Sequence, residues 1–284
     1  MLVHLKEILD DIAKRQKAVG AFNTINLEIS QAIVAGARQA GSPAIMQLTE
    51  NVIKYAGLET IFKIASTVIK NESGTVPLAI HLDHGKNLDV IKQCVDIGFS
   101  SVHCDASAMP FEDNLRMTRE VVSYAHQRGV CVQGELGSIL GKEGLLRFHQ
   151  GEDLKKFLTD PSKIGEFVEK TGIDTVAVSI GNLHGSFAGM ENLDLPRLQE
   201  IKNKINIPIV LHGGSGIATE QIKEAIKLGI RVINIDTELR IAFAEGVKSA
   251  LAAPTDKVDP REILGPAKEK ISAKVAEKIV LFIS

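Results

Sequence analysis

The stretch VPLAIHLDHGKNLDVIKQCVDIGFSSVHCDA, residues 76–106, holds one full unit of the pattern that decides the fold. It opens on a strand-like run (76–85), breaks at a polar turn, and continues through an amphipathic segment that stops at Gly98. It then enters a second strand-like run, SVHCDA (101–106). The same alternation extends in both directions. Upstream lie AVGAFN (18–23) and PAIMQL (43–48); downstream lie VCVQGELG (130–137), TVAVSIG (175–181), IPIVLHG (207–213) and VINIDT (232–237). Between the runs, segments such as NLEISQAIVAGARQAG and TEQIKEAIKLG carry apolar residues near every third or fourth position, the spacing of a helix with one buried face. Gly41, Gly98, Gly129, Gly172 and Gly229 stand where C-terminal helix caps belong. Apolar strands alternating with helices imply a parallel sheet covered by helices. Eight such units between residues 18 and 237 have the count and size of a (β/α)8 barrel. An open doubly wound sheet would show a glycine fingerprint in its first turn, where this chain reads FNTINLE.

Composition sets the outer bounds. The chain has 284 residues, 44% of them hydrophobic and 24% charged, which is globular composition. No linker or low-complexity tract divides it, so a single domain over 1–284 is expected, with a short N-terminal helix and a C-terminal helical extension. The formal net charge of −2 gives no general attraction to nucleic acid or to an anionic membrane. Its three cysteines fit neither a disulfide framework nor a zinc-finger spacing, which suits a reducing compartment. The start MLVHLKEILDDIAKRQ reads as an amphipathic helix and not a signal peptide. No apolar run approaches the roughly 20 residues that span a bilayer. A cytoplasmic location follows as an expectation.

A barrel places its active site at the C-terminal ends of its strands. Asn23, Gln47, Thr49, Asp83, His84, Asp105, Glu135, His184, His212, Asn234, Asp236 and Thr237 all fall there. Loop polarity alone would supply mostly Ser, Asn and Lys. His84, His184 and His212 follow strands three, six and seven, and barrel closure would bring them together. Three imidazoles around one ion leave a position open, as in a catalytic zinc site. His4, His103, His126 and His149 are read as ordinary core or surface histidines, and His81 as a barrel-interior residue. HGGSG (212–216), HG (184–185) and NIDT (234–237) form turns whose backbone N–H groups can cradle an anion. Beside a metal site, they suggest a small phosphorylated substrate.

These residues resemble the class II, zinc-dependent ketose-bisphosphate aldolases along essentially the whole chain. The likeness runs from AFN and SPAIMQ through HLDHG, PFEDN, ELG, LTDP and VLHGGSGI to NIDTELRIAF and DPREILGPA. The resemblance implies a (β/α)8 fold, with Asp83 exchanging a proton with the substrate C4 hydroxyl and with His84, His184 and His212 holding one catalytic zinc per chain. It makes Asp105 and Glu135 a second, alternative metal position. Gly185, Gly213, Gly214 and Ser215 match the phosphate loop, near which the resemblance leaves room for a monovalent cation. Asn234, Asp236 and Thr237 match the substrate-contacting strand end, and Thr49 a hydroxyl near the substrate. Glu143 matches a mobile-loop glutamate that moves a proton at the nascent enolate. Arg240 matches an arginine that reaches the distal phosphate of a neighbouring subunit, implying a homodimer or a dimer-based tetramer.

The implied reaction is reversible cleavage of fructose 1,6-bisphosphate to dihydroxyacetone phosphate and glyceraldehyde 3-phosphate. The alternative is tagatose 1,6-bisphosphate, or a ketose 1-phosphate with another distal group. The strand ends named above include no lysine, which weighs against Schiff-base chemistry. Retention of Asp83 and all three histidines weighs against a silent barrel kept as a binding subunit. The sequence departs from the family pattern at Gln133 (VQGELG), at Leu140 and Gly144 (LGKEG), at SVHCD, and at Ala188, where many fructose enzymes have lysine.

Overall fold

A computed structural model describes residues 1–139, 156–185, 192–252 and 258–284. Leu140, Glu143, Gly144, His149 and Ala188 lie outside the described residues. The eight runs form β1 (Val19–Asn23), β2 (Ala44–Thr49), β3 (Leu78–Gly85), β4 (Ser101–Cys104), β5 (Cys131–Leu136), β6 (Thr175–Val178), β7 (Ile209–Leu211) and β8 (Ile230–Ile235). They pair in chain order, all parallel, and β8 closes on β1 as Val19 pairs with Val232 and Phe22 with Ile235. The expected eightfold barrel is therefore observed. Several strands stop earlier than their apolar runs suggest. Asp105, Ser179, His212 and Asp236 lie just past the last residues of their strands, where the chain turns away from the sheet.

Between the strands lie α1 (Leu5–Arg15), α2 (Leu27–Ala40), α3 (Glu50–Ala56), α4 (Leu58–Glu72), α5 (Leu88–Ile97) and α6 (Phe111–His126). They are followed by α7 (Pro161–Thr171), α8 (Leu195–Lys202), α9 (Thr219–Lys227), α10 (Thr237–Ala252) and α11 (Pro260–Ile283). Asn26, Asn87, Asp160, Asp194 and Asp259 start five of them by accepting backbone N–H groups of the first turn. Gly41, Gly98 and Gly172 cap α2, α5 and α7 in the left-handed conformation. Gly129 and Gly229 also have positive φ but stand one or two residues beyond the caps, which are Gln127 and Leu228.

Period-two alternation divides the barrel interior into two layers. At the N-terminal end Val19, Ala21, Ile45, Ala79, Cys131, Ala177, Val210 and Val232 form an apolar floor. Leu5, Ile8, Leu9 and Ile12, spaced along one face of α1, pack against it and plug the barrel from below. Further up six of the strands the inward residues become polar: Asn23, Gln47, His81, Asp83, His103, Gln133, Glu135 and Asn234 are all buried. The larger apolar cluster fills the space between the outer strand faces and the helices. The dry floor and helix ring fix a polar mouth at the C-terminal end. Among the described residues no helix is long and apolar enough to cross a membrane.

Candidate functional site

In a regular strand Asp83 and His84 would face opposite sides of the sheet. Here the β3–β4 register shifts between Leu82 and Gly85, and His84 adopts φ +50°, a left-handed conformation rare for a residue with Cβ. The break in alternation lets both neighbours address the mouth. It also requires Gly85, because a Cβ there would lie 2.5 Å from the His103 carbonyl oxygen. Asp83 Oδ2 accepts a hydrogen bond from Asn23 Nδ2 at 2.8 Å, and Oδ1 lies 3.3 Å from Asn234 Nδ2. His84 Nδ1 lies 2.8 Å from Asp105 Oδ2, and its Nε2 is 3.0 Å from His212 Nδ1.

These contacts shape the site's protonation. Burial alone would lower His84, but the Asp83 charge and the Asp105 hydrogen bond outweigh it and push His84 up to about 10. Burial raises the Asp83 carboxyl, yet the facing His84 and the Asn23 bond hold it below its ordinary value. Burial lowers His103 and His184 to about 3 and His212 well below the usual imidazole range. His103, His184 and His212 are therefore held in the neutral form that a metal ligand needs, whereas His84 keeps a proton beside Asp83 and Asp105 that a metal ion would have to displace. Burial, reinforced by the Asp105 charge, pushes Glu135 up to about 8.

His184 arrives from the turn after β6, with its ring centroid 4.9 Å from that of His84 and 6.0 Å from that of His212. Among the described residues, two sets of ligand atoms lie within 4.8 Å of one another: Asp83, His84, His103 and His212, and His84, His103, Asp105 and Glu135. His184 belongs to neither set; its ring edges the cluster. The residues fit a divalent ion: imidazole nitrogens and carboxylate oxygens converge, and buried His103 Nε2 and Glu135 Oε2 face each other at 3.5 Å with no hydrogen bond made by either.

Next to this cluster, Asn23, Asp83, His184, Gly185, His212, Gly213, Ser215, Asn234, Asp236 and Thr237 line a narrow cleft. Gly213 has φ +64°, and a Cβ there would meet the Leu183 carbonyl oxygen at 2.0 Å, so the HG and HGGSG turns interlock only with glycine. The Gly214 N–H donates to the Asn234 carbonyl at 2.9 Å. On the other side of His184 a cavity of about 670 Å³ is lined by Thr49, Tyr55, Lys86, Asp105, Glu135 and Arg240, among others. Thr49 is buried, and its Oγ1 accepts the Val52 N–H at 3.3 Å, starting α3. Arg240 Nε lies 2.8 Å from both oxygens of Asp236, whose carboxyl burial raises despite that pairing.

The structure adds two residues at the centre of the mouth. His103 is no ordinary strand histidine: its ring is fully buried, with its centroid 5.0 Å from that of His84 and 5.1 Å from that of His212. Its Nδ1 accepts the His84 N–H at 3.2 Å. Gln133, a departure from the family pattern, places its side-chain amide 2.8 Å from His212 Nε2. Strand parity was the available signal. His103 is two residues before Asp105, and Gln133 two before Glu135, so each pair shares an inward face. His81 lies inside the barrel as expected, with Nδ1 2.8 Å from Ser101 Oγ.

A closed parallel barrel with neutral imidazoles and carboxylates gathered beside a glycine-turn cleft defines a metal-dependent (β/α)8 enzyme for an anionic substrate. The family described as fructose-bisphosphate aldolase class-II matches residues 3–284. A fructose-bisphosphate aldolase of Geobacillus stearothermophilus is 42% identical over 279 residues, 98% of this chain and 96% of that protein. One from Staphylococcus aureus (strain Mu50) is 40% identical over 285 residues, 99% of this chain and 97% of its own length. The crystal structure of the YdjI aldolase from Escherichia coli K12 superimposes with TM-score 0.84 at 31% identity, covering 99% and 97% of the two chains. The chain belongs to the class II fructose-bisphosphate aldolase family. It is an aldolase, a carbon–carbon lyase of a metal-dependent family that acts on phosphorylated sugars.

Proposed function

We propose that the protein, as a single cytoplasmic domain, reversibly cleaves fructose 1,6-bisphosphate to dihydroxyacetone phosphate and glyceraldehyde 3-phosphate. The observation that carries this is Asp83: a carboxylate held by Asn23 and Asn234, between the imidazole cluster and the glycine-turn cleft. His84, His184 and His212 would hold one zinc, with Asp105 and Glu135 as the alternative position. When bound, the ion supplies Lewis acidity that draws electron density from the ketose carbonyl. Asp83 takes the C4 hydroxyl proton as the C3–C4 bond breaks, and returns it in the reverse direction. Asn23 and Asn234 fix the carboxylate so that its basicity is aimed at one oxygen. Gly185, Gly213, Gly214 and Ser215 hold the C1 phosphate through the turns they form, with Asn234, Asp236 and Thr237 on the facing wall; a monovalent cation would share this position. Thr49 faces the substrate from the larger cavity. Glu143 moves the proton at the carbanion carbon. Arg240, which lines the same cavity as Lys86, would serve the distal phosphate, in a dimer or dimer-based tetramer.

Tagatose 1,6-bisphosphate, or a ketose 1-phosphate with another distal group, would use the same groups up to C4. Steady-state cleavage of the fructose and tagatose bisphosphates, compared side by side, tests the assignment. A higher kcat/KM for fructose supports it, and a higher value for tagatose transfers the activity to the epimer.

A further inference from the structure

The C-terminal helix is tied to the HGGSG turn through a largely buried ion pair. Lys278, on α11, places Nζ 2.7 Å from Glu238 Oε1, and the two side chains are only 10% and 15% exposed. Glu238 lies in the first turn of α10, directly after the NIDT turn. Its Oε1 also accepts the N–H of Gly216 at 2.8 Å, while Oε2 has no hydrogen-bond partner. The Glu238 N–H in turn lies 3.3 Å from Ser215 Oγ, which accepts it. One residue therefore fastens the end of the HGGSG turn through both its backbone and its side chain.

A carboxylate makes a strong anchor for an amide, since a charged acceptor roughly doubles the hydrogen bond. It is also a hazard at this position. Ser215 and Gly213 line the cleft that would take the substrate phosphate, and a negative charge behind them repels a phosphate dianion across poorly screened protein. The ammonium of Lys278 meets the same oxygen that holds Gly216. We infer that Lys278 is a positioning residue for phosphate: it cancels the Glu238 charge, so the carboxylate can fix the turn without repelling the ligand the turn binds. The inference rests on the reading of residues 213–216 as the phosphate turn. It gives α11, 62 positions beyond Gly216 in sequence, a role in substrate binding exerted through Glu238 and the turn.

A plain structural clip between α10 and α11 would weaken phosphate binding whichever partner is removed. Charge cancellation instead predicts opposite signs. Lys278→Met leaves the carboxylate bare, whereas Glu238→Gln keeps an oxygen for the Gly216 N–H and leaves the ammonium unopposed. The test is calorimetric titration of metal-loaded protein with inorganic phosphate, with KM and kcat for fructose 1,6-bisphosphate measured in parallel. Lys278→Met is expected to weaken phosphate about tenfold and Glu238→Gln to tighten it about threefold, the scale of one unscreened charge near a dianion. The double variant and Lys278→Arg are expected within about twofold of wild type, and the single-variant changes to fall on KM more than on kcat. Weakening in both single variants, or no change in either, overturns the inference. Should Lys278→Met fail to fold, Glu238→Gln decides alone: tightening supports the inference, and weakening or no change refutes it. If the wild type binds no phosphate, the phosphate-turn reading itself is overturned, and this inference with it.

Discussion

Replacing His103 with leucine removes one hydrogen-bond acceptor from the centre of the mouth while keeping much of the side-chain volume. In the native protein His103 Nδ1 accepts the N–H of His84, which is held at φ +50°. Such a conformation is itself unfavourable by roughly 1–2 kcal/mol and persists only if the surroundings enforce it. His103 is fully buried and the bond itself is part-buried, so leucine would leave the amide with little to replace its partner. The cost of an unsatisfied buried donor is about 1–3 kcal/mol. Because the volume is largely kept, little cavity term should be added. For a domain of about this size that corresponds to roughly 2–4 °C in Tm per kcal/mol. His84 would lose its aim, and loss of such a supporting contact typically weakens metal affinity about 10–100-fold. Urea unfolding of the metal-free protein and competitive zinc titration read the two effects separately. His103→Asn, whose Oδ1 can stand where Nδ1 stood, should recover most of both. If His103→Leu unfolds within about 0.5 kcal/mol of wild type and binds zinc equally well, His103 does not hold His84 and the reasoning is wrong.

Asp83→Ala should retain zinc and substrate affinity while kcat falls by about 10²–10⁴-fold; an increase in KM alone would make Asp83 a positioning group. Arg240→Ala should lower kcat/KM for the bisphosphate by about 2–4 kcal/mol and matter far less for a ketose 1-phosphate; equal losses on both substrates would place its role in the fold, through the Asp236 pair. Burial pushes Cys94, Cys104 and Cys131 up to about 12, so at pH 8 almost no thiolate forms in the native state. Iodoacetamide at pH 8 should therefore label none of the three until the protein is unfolded, and mass spectrometry of the native sample checks this.

The barrel was legible because its unit is local. A strand such as VPLAIHLDHG, a helix ended by Gly98 and the next strand together state a parallel β/α unit, and repetition supplies closure. The rim was legible for the same reason, since strand ends can be located without knowing how the strands pair. What lay deeper was harder to see. His103 sits inside β4, and only the inward parity it shares with Asp105 distinguishes it from a packed core histidine. Gln133 looks like a lost acid until closure brings it to His212. The side-by-side use of Asp83 and His84 depends on a left-handed residue and a register shift, which alternation patterns do not encode. The Lys278–Glu238 pair joins residues 40 positions apart in a contact set by how α11 lies against α10. No spacing rule points to it.

If turnover depends on a metal held at this mouth by imidazoles, removing that metal abolishes it. The protein is stripped with a chelator, metal content is measured by elemental analysis, and fructose 1,6-bisphosphate cleavage is followed as zinc is returned. Activity should vanish on stripping and recover in proportion to zinc, saturating near one ion per chain, and His184→Ala should recover neither metal nor turnover. Full cleavage by protein shown to contain no metal would contradict the account.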